Sequence, residues 1–165
     1  MSDFRFLLLS VVFNISWLSV FYLVFMSFLP VLADLTGCQE KVLFKSWWNA
    51  STLEQFWRRW NLPVHQWCVN HLYLPVVQAG WSKLQAMIVV FLCSAALHEY
   101  LISTTLRIFG YTAFIAFLGQ ALLCRLSSCF TNKCGATAGN ILVWSFLVLG
   151  NTAGVVIYYK QVAGY

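Results

Sequence analysis

The sequence predicts an all-α integral membrane protein with about four transmembrane helices and one helix in the membrane interface. Of its 165 residues, 61% are hydrophobic, 18% are aromatic and only 9% are charged, a balance that a soluble fold could not bury. The longest run without a charged residue, Phe6 to Ala33, exceeds the roughly 20 residues that cross a bilayer. No internal repeat or low-complexity linker divides the chain, so we expect a single domain over 1–165.

Four apolar runs are candidates for membrane spans. The first is too long for a secretory signal, whose apolar region has about 7–15 residues, and no A-x-A pattern closes it. The second is apolar on every helical face. The fourth ends in Tyr158, Tyr159 and Lys160, a composition typical of an interfacial anchor. The predicted spans are about 6–32, 84–106, 111–128 and 141–159.

Basic residues are concentrated in the segment between the first and second spans. This segment contains Lys41, Lys45, Arg58, Arg59 and Lys83. The positive-inside rule therefore predicts that segment 34–83 is cytosolic. A short turn over 107–110 then lies on the far side, a loop over 125–140 lies in the cytosol, and the C-terminus lies outside. The net charge of +5 is not spread like a nucleic-acid footprint, so we expect no nucleic-acid partner.

The predicted cytosolic segment contains an aromatic and basic stretch. Residues 43–60 read L-F-K-S-W-W-N-A-S-T-L-E-Q-F-W-R-R-W, the composition of an amphipathic helix lying in the interface. Ser51 or Thr52 is a candidate N-cap, with an acidic or amide residue three positions on. Pro63 and Pro75 then bracket a further short stretch with two histidines.

The six cysteines do not predict a disulfide framework, because several lie in apolar helices, where cysteine behaves as a small hydrophobe. Cys68 and His71 have metal-ligand spacing, but no second pair follows them, and we expect no metal. An H-E-x-x-H zinc helix is excluded because position 102 is Ile102. The sequence also lacks a G-x-S-x-G nucleophile elbow and a glycine-rich phosphate loop.

His98 and Glu99 form an ionisable pair inside the second predicted span. An acid at the centre of a bilayer costs about 2.5–3.5 kcal/mol on insertion scales, so such residues usually face a protein interior or a cavity and serve function. A membrane enzyme, a transporter and a channel fragment all fit this pair. A purely structural hydrogen bond from the histidine to a neighbouring helix is a further interpretation.

Several motifs, in order and spacing, resemble the membrane-bound O-acyltransferases, in particular the branch that acylates diacylglycerol or sterols. L-F-K-S-W-W-N at 43–49 is similar to that branch's F-Y-x-D-W-W-N element, and F-W-R-R-W-N-L-P-V-H-Q-W at 56–67 is similar to its next block. S-A-A-L-H-E-Y at 94–100 resembles its catalytic-histidine helix. Together with G-N-I-L-V-W-S-F-L-V-L-G at 139–150, these blocks are most similar to the C-terminal part of animal diacylglycerol acyltransferases.

The resemblance implies transfer of a fatty acyl group from acyl-CoA, the co-substrate, to the hydroxyl of diacylglycerol, without a further cofactor. It implies that His98 is the general base that removes the hydroxyl proton. Glu99 would orient or polarise the site, and Asn61 would hold the thioester oxygen as charge develops on it. The alternatives are a sterol acyltransferase, a non-catalytic subunit of the same descent and, on the ionisable pair alone, a transporter.

The resemblance also implies a set of substrate-binding residues. Trp47, Trp48 and Asn49 would shape the acyl-CoA entrance, although tryptophans are also common as simple interfacial anchors. The other expected contacts are His65, also interpretable as a loop-packing residue, Tyr73 and Lys83 toward CoA, and Gln120 toward the acyl acceptor. For Lys83, simple snorkelling to the interface is the competing interpretation.

The sequence departs from the family pattern at several positions, none of which is His98. Leu43 and Phe44 replace the family's Phe and Tyr, Ser46 replaces its Asp, and Gly150–Asn151 replaces a Gly-Gln pair. The family's earlier membrane helices have no counterpart in this sequence, so we expect His98 to be incompletely enclosed by the four spans. A full-length paralogue or a second copy is therefore an expected partner, beside membrane lipid, in the endoplasmic reticulum membrane.

Overall fold

The computed structural model describes residues 3–37, 42–108 and 110–163, with side chains from Leu8 onward, and it is helical throughout its regular parts. Four described helical stretches are long and apolar enough to cross a membrane, which confirms the predicted all-α membrane class. They are Leu8–Thr36, Lys83–Leu106, Thr112–Cys134 and Ala136–Ala163. Cys38 and Lys41, which entered the sequence argument, lie outside the described residues.

The α-helices, in chain order, are α1 (Asp3–Tyr22), α2 (Leu29–Thr36), α3 (Leu53–Trp60), α4 (Leu62–Cys68), α5 (Leu74–Gln78), α6 (Lys83–Leu106), α7 (Thr112–Cys134), α8 (Ala136–Ser145) and α9 (Asn151–Ala163). Three π-helical segments join some of them without a break, namely Leu23–Phe28, Val69–Tyr73 and Phe146–Gly150. Two of these segments run into a proline, Pro30 or Pro75, at the start of the next helix. Proline lacks an N–H and crowds the preceding turn, so a wider turn before it is the expected local adjustment.

The predicted loop over 125–140 is wrong, because α7 continues to Cys134 and α8 begins at Ala136. Only Gly135 separates them, with a φ of 90° that glycine adopts without strain. The polar residues that suggested a loop bond within or across the helices instead. The hydroxyls of Ser127 and Ser128 both donate to the Cys124 carbonyl, a common way for helical hydroxyls to be satisfied.

The predicted interfacial helix over 43–60 is shorter than expected. Residues 42–46 have no regular secondary structure, Trp47–Asn49 form one 3₁₀ turn, and the α-helix begins only at Leu53. Thr52 is the N-cap, as predicted, and accepts a hydrogen bond from the Gln55 backbone N–H at 3.1 Å. Competition from this cap explains the late start, because Ser and Thr favour caps over helix interiors.

An aromatic core lies beneath residues 43–60, which we call the amphipathic segment. Trp47 and Phe56 are each 2% exposed, and Phe21 from α1 is 5% exposed. The Trp60 ring stacks on Phe21 with a centroid distance of 4.0 Å. The membrane spans contribute Phe21, Cys124 and Val143 to this core. Their outer faces are largely exposed apolar side chains, as expected for contact with lipid or further helices.

Long-range polar contacts fasten the amphipathic segment to the α7–α8 hairpin. Asn140 Nδ2 donates to the carbonyls of Trp48 and Ala50, both at 2.8 Å. Thr131 Oγ1 donates to the Ser51 carbonyl at 2.6 Å. Gly139 allows this close approach, because a Cβ there would collide with the Ser51 carbonyl and the Thr131 hydroxyl. The segment is therefore part of the folded unit and not a free surface helix.

Candidate active site

His98 lies at the packed interface between α6 and α7. Its ring stacks on Phe117 of α7 with a centroid distance of 3.8 Å and an interplanar angle of 23°. Its Nδ1 lies 2.7 Å from the Ser94 carbonyl oxygen, one turn earlier on α6. The histidine is half-buried and thus neither sealed in a core nor turned fully outward.

The hydrogen bond to Ser94 determines which ring nitrogen holds the proton in neutral His98. A carbonyl oxygen only accepts, so Nδ1 must donate to it at 2.7 Å. The lone pair of the neutral ring is then on Nε2, and this nitrogen is the one that can remove a proton. The Ser94 hydroxyl, 3.4 Å from Nδ1, lies on the same side of the ring. The geometry therefore presents a basic nitrogen away from α6's own backbone.

Glu99, the next residue, has quite different surroundings. Its Oε2 accepts hydrogen bonds from the Phe114 backbone N–H at 3.0 Å and from the Tyr158 hydroxyl at 3.2 Å. Its Oε1 accepts from the Ser103 hydroxyl at 2.7 Å. A carboxylate at the first turn of α7 satisfies an otherwise unpaired N–H and is favoured by the helix dipole. Through these contacts Glu99 connects neighbouring helices, and we call this set of hydrogen bonds the clamp. Glu99 shares no hydrogen-bond partner with His98 among the described residues.

Tyr158 completes this clamp, and sequence reasoning missed it. Its hydroxyl accepts from the Ala113 backbone N–H at 2.8 Å while donating to Glu99. The predicted interfacial anchor is therefore wrong for Tyr158, although its neighbour Tyr159 is 69% exposed. The sequence Tyr-Tyr-Lys is the same whether Tyr158 turns inward or both tyrosines face outward. The sequence alone therefore could not distinguish these two placements.

Gln120 lies one helical turn beyond Phe117, on the same face of α7. Its Oε1 is buried and has no hydrogen-bond partner among the described residues. Phe117 also contacts Trp57 of α3, at a centroid distance of 6.3 Å. His98 thus stacks on a ring of α7 that lies one turn from Gln120, and the shared site predicted for His98 and Gln120 stays a prediction.

Asn61 and His65 lie at the start of α4. Asn61 caps this helix, its Oδ1 accepting from the Val64 N–H at 3.2 Å, which leaves its Nδ2 as the donor for another partner. Burial, together with the positive charge of Arg58, lowers the pKa of His65 below its usual value of 6.5. The predicted roles of both residues toward substrate stay predictions, because these contacts concern only the local fold.

The W-W-N triplet divides between the core and the surface. Trp47 is buried against Trp60, Phe56 and Trp144, whereas Trp48 is 39% exposed and Asn49 is also exposed. Of the three residues predicted to shape an acyl-CoA entrance, only the last two are therefore open to a ligand.

Tyr73 and Lys83 lie far from His98 along the chain's path. Lys83 is the first residue of α6 and follows a capping box in which Ser82 and Gln85 bond reciprocally. At 1.5 Å per residue, Lys83 lies about 22 Å from His98 along the helix axis. It is exposed, and Tyr73 is half-buried in the preceding π-helical segment. Lys83 therefore cannot take part in chemistry at His98, although it can contact a long ligand.

Two open, shallow grooves on the described surface lie away from His98. One runs along the first span and is lined by Leu23, Val24, Ser27, Phe28 and Val31. Another lies on the fourth span beside Trp144 and Val148. In the described parts of the chain, no three His, Cys, Asp or Glu side chains converge as metal ligands would. Burial raises the pKa of the Cys68 thiol, and nearby Cys93 adds to the effect, so Cys68 is not an activated nucleophile.

Comparison with known proteins identifies the class of this arrangement. The MBOAT, membrane-bound O-acyltransferase family, matches residues 1–159. The chain belongs to this family. The match includes α6 with His98, the amphipathic segment with its W-W-N triplet, and all four spans, so the resemblance drawn from separate motifs is confirmed at the level of the family.

Relatives of this MBOAT chain include plant and animal proteins. It is 39% identical over 148 residues to diacylglycerol O-acyltransferase 1-2 of Oryza sativa subsp. japonica, covering 88% of this chain and 31% of that protein. It is 38% identical over 154 residues to diacylglycerol O-acyltransferase 1 of Bos taurus, covering 93% and 31% respectively. The chain therefore spans about three tenths of the length of these relatives.

The structure describes three of the positions at which this chain departs from the expected motifs. Phe44 packs its ring against Phe21 at a centroid distance of 5.5 Å, an apolar contact that needs no hydroxyl. Ser46 offers its backbone carbonyl to Arg59 Nη1 at 3.3 Å. Asn151 begins α9 directly after a π-helical segment. None of the three departures touches His98 or its partners.

Proposed function

We propose that this chain carries the acyl-transfer centre of a diacylglycerol O-acyltransferase, which moves a fatty acyl group from acyl-CoA to diacylglycerol and releases CoA and triacylglycerol. The observation that supports this most strongly is the orientation of His98. Its Nδ1 proton is held by the Ser94 carbonyl, which leaves the Nε2 lone pair for an incoming hydroxyl. Membership of the family and the names of the relatives supply the substrate class.

The proposed reaction needs one proton to move twice. Nε2 of His98 takes the proton of the diacylglycerol hydroxyl while the oxygen attacks the thioester carbonyl carbon. The tetrahedral intermediate then collapses, the carbon–sulfur bond breaks, and the imidazolium returns its proton to the CoA thiolate. The stacked Phe117 ring and the Ser94 bond restrain the imidazole during both steps, which provides the orientation on which such catalysis depends.

The amphipathic segment fits the donor side of the proposed reaction. CoA is soluble and anionic, so it arrives from the cytosol, where the positive-inside rule places 34–83. Lys83 offers a point charge to its phosphates at the cytosolic end of α6. Trp48 and Asn49 are exposed, and the Trp48 carbonyl accepts a hydrogen bond from Asn140 Nδ2. A ligand extending from Lys83 toward His98 would follow α6 for about 22 Å.

The acceptor side is assigned to Gln120 and the lipid-facing surroundings of α7. Diacylglycerol dissolves in the bilayer, so its hydroxyl approaches His98 from within the membrane. The Gln120 amide, whose Oε1 is buried and without a partner among the described residues, is suited to orient the acceptor by donating from Nε2 to the hydroxyl oxygen, which leaves the hydroxyl proton for His98. We place the protein in the endoplasmic reticulum membrane as a multi-pass protein, where a second copy or a full-length paralogue can complete the walls around His98.

An assay in microsomes tests this function. Membranes containing the chain are given radiolabelled oleoyl-CoA with diacylglycerol or with cholesterol, and the products are separated. We expect labelled triacylglycerol from wild-type chain, a loss of roughly 10²–10⁴-fold in His98→Ala, and no loss in His71→Ala, which removes an exposed histidine that packs only on Trp67.

Other outcomes of the same assay separate the alternatives. Product from cholesterol in place of diacylglycerol would make the chain a sterol acyltransferase. Equal triacylglycerol synthesis with and without His98 would contradict the catalytic assignment. If wild-type chain makes product only when a full-length paralogue is present, and His98→Ala in the chain has no effect there, the chain is a non-catalytic subunit.

A further inference from the structure

Three buried side-chain polar atoms have no hydrogen-bond partner in the described parts of the chain, namely Trp47 Nε1, Trp57 Nε1 and Gln120 Oε1. Buried polar groups are nearly always paired, because leaving one unpaired forfeits its hydration without compensation. An unpaired donor in a binding site is therefore a place where a ligand acceptor is expected. The surroundings of the three atoms decide which of them this reasoning applies to.

Trp57 and Gln120 lie in the same neighbourhood, whereas Trp47 does not. The Trp57 ring contacts Phe117, the ring on which His98 stacks at 3.8 Å, and Gln120 lies one turn beyond Phe117. Trp47 is instead enclosed by aromatic side chains of the core, Phe21, Phe56, Trp60 and Trp144. The unpaired donor of Trp57 and the unpaired acceptor of Gln120 thus lie on residues around Phe117, the ring on which the proposed base stacks.

We propose that the indole N–H of Trp57 is the hydrogen-bond donor to the thioester carbonyl oxygen of acyl-CoA, and hence a catalytic residue of the acyl transfer. This inference rests on the proposed function. A carbonyl oxygen only accepts, and of the two unpaired atoms only Trp57 Nε1 is a donor. Trp57 Nε1 therefore fits the thioester oxygen.

An indole N–H is suited to this role. When the acceptor oxygen adds to the thioester carbon, the carbon–oxygen double bond opens and negative charge develops on the carbonyl oxygen. A fixed neutral donor stabilises that charge, and because Trp57 only donates and does not ionise, the proton stays on the nitrogen. The charge returns to the carbonyl when the carbon–sulfur bond breaks, so Trp57 is unchanged by the reaction. Asn61, one turn further along the chain, would be a second donor.

Indole NMR resonances test the contact without requiring turnover. The chain has eight tryptophans, and the ¹⁵N-labelled Trp57 Nε1–H signal is identified by its loss in Trp57→Phe. The full chain in nanodiscs is titrated with oleoyl-CoA and, in parallel, with the thioether analogue that lacks the carbonyl oxygen. Binding of both is measured separately by isothermal titration calorimetry.

We expect both ligands to bind and only oleoyl-CoA to move the Trp57 proton signal downfield, as a new hydrogen bond requires. Bound ligands that leave this signal unmoved, or that move it equally, would overturn the inference while leaving the proposed function intact. If neither ligand binds in calorimetry, the donor-binding part of the proposed function fails, and the inference fails with it.

Kinetics provide a second readout where the chain is active. Replacing Trp57 with 3-benzothienylalanine keeps the size and shape of the ring and removes only the N–H. We expect kcat to fall by roughly 10²–10³-fold, the usual effect of losing one oxyanion donor, with little change in affinity for the thioether analogue. Trp17→Phe, which alters a partly exposed ring stacked on Trp60, should leave kcat near wild type. Unchanged kcat in the benzothienyl variant would overturn the assignment.

Discussion

His98 and Glu99 are neighbours on α6, yet their side chains point about 100° apart around the helix and have different partners. Glu99 uses both carboxylate oxygens in hydrogen bonds to Ser103, Phe114 and Tyr158, whereas His98 has one nitrogen tied to Ser94 and one free to react. An acid with every partner inside the protein contributes to folding, and a base with an open nitrogen is available for chemistry. The ionisable pair is therefore one clamp and one residue that we propose for catalysis, and the two share no hydrogen-bond partner among the described residues.

The largest stability effect is expected at the clamp. Glu99→Ala should lower the free energy of unfolding by roughly 2–4 kcal/mol, because it removes charge-assisted hydrogen bonds and leaves the Phe114 N–H and the Tyr158 hydroxyl without their acceptor. Thermal unfolding in detergent, followed by near-ultraviolet circular dichroism, measures the change. Glu54→Ala is the control, since its ion pair with Arg58 is exposed and worth less than about 1 kcal/mol. Equal loss in the two variants would contradict the clamp.

The next largest loss of stability is expected at Gly139 of α8, which packs against Thr131 near the C-terminal end of α7. Gly139→Ala should destabilise the chain by about 1–3 kcal/mol, because the new Cβ meets the Ser51 carbonyl and the Thr131 hydroxyl. Gly119→Ala is the matched control, with open space around its Cβ position. It should stabilise α7 by up to about 1 kcal/mol through helix propensity. Chemical unfolding in mixed micelles compares the two, and a stable Gly139→Ala would show that the amphipathic segment is not fastened to α8.

Tyr158→Phe sharpens the comparison by removing one hydroxyl from the clamp. It should cost about 1 kcal/mol, since Glu99 loses a donor and the Ala113 N–H loses its acceptor. Tyr159→Phe, the same change one position along on a ring that is 69% exposed, should be neutral. If the thermal midpoints of the two variants are equal, the inward placement of Tyr158 is incorrect.

The smallest effect concerns His65 and pH. Its pKa is lowered in the folded chain, first by burial and then by Arg58. Between the folded and unfolded pKa values the unfolded chain binds more protons, so stability falls as pH drops below about 6.5 and is fully retained above it. The wild-type chain should therefore lose more stability between pH 7.5 and 5.5 than His65→Gln. Parallel curves for the two proteins would show that His65 does not carry this dependence.

Hydropathy and charge were sufficient to predict the four spans, because a bilayer selects helices on length and apolarity alone. The same signals failed at 125–140, where Ser127, Ser128 and Thr131 bond to backbone carbonyls and allow helix to continue where their polarity suggested a loop. The late start of α3 depends on the competition between the Thr52 cap and helix propensity, which a compositional argument does not resolve.

The candidate site could likewise be predicted only in part. His98 stands out in the sequence because ionisable residues are rare in an apolar span, and the family motifs agree. Trp57 and Tyr158 did not stand out, since aromatic residues near an interface are common, and only contacts across helices distinguish a buried N–H or an inward hydroxyl from an anchor. The role predicted for Glu99, as an orienting group of the site, rested on adjacency in sequence, whereas its contacts connect α6, α7 and α9.

The tautomer of His98 tests most directly whether His98 is free to act as a base while Glu99 serves the fold. With ¹⁵N-histidine incorporated and the signal identified by its loss in His98→Ala, the two ring-nitrogen resonances are recorded at neutral pH in nanodiscs. We expect Nδ1 to give the signal of a protonated nitrogen and Nε2 that of a nitrogen with a free lone pair, and Glu99→Gln to leave this pattern in place. A proton on Nε2 would contradict the account, because His98 would then present no base to the acceptor hydroxyl.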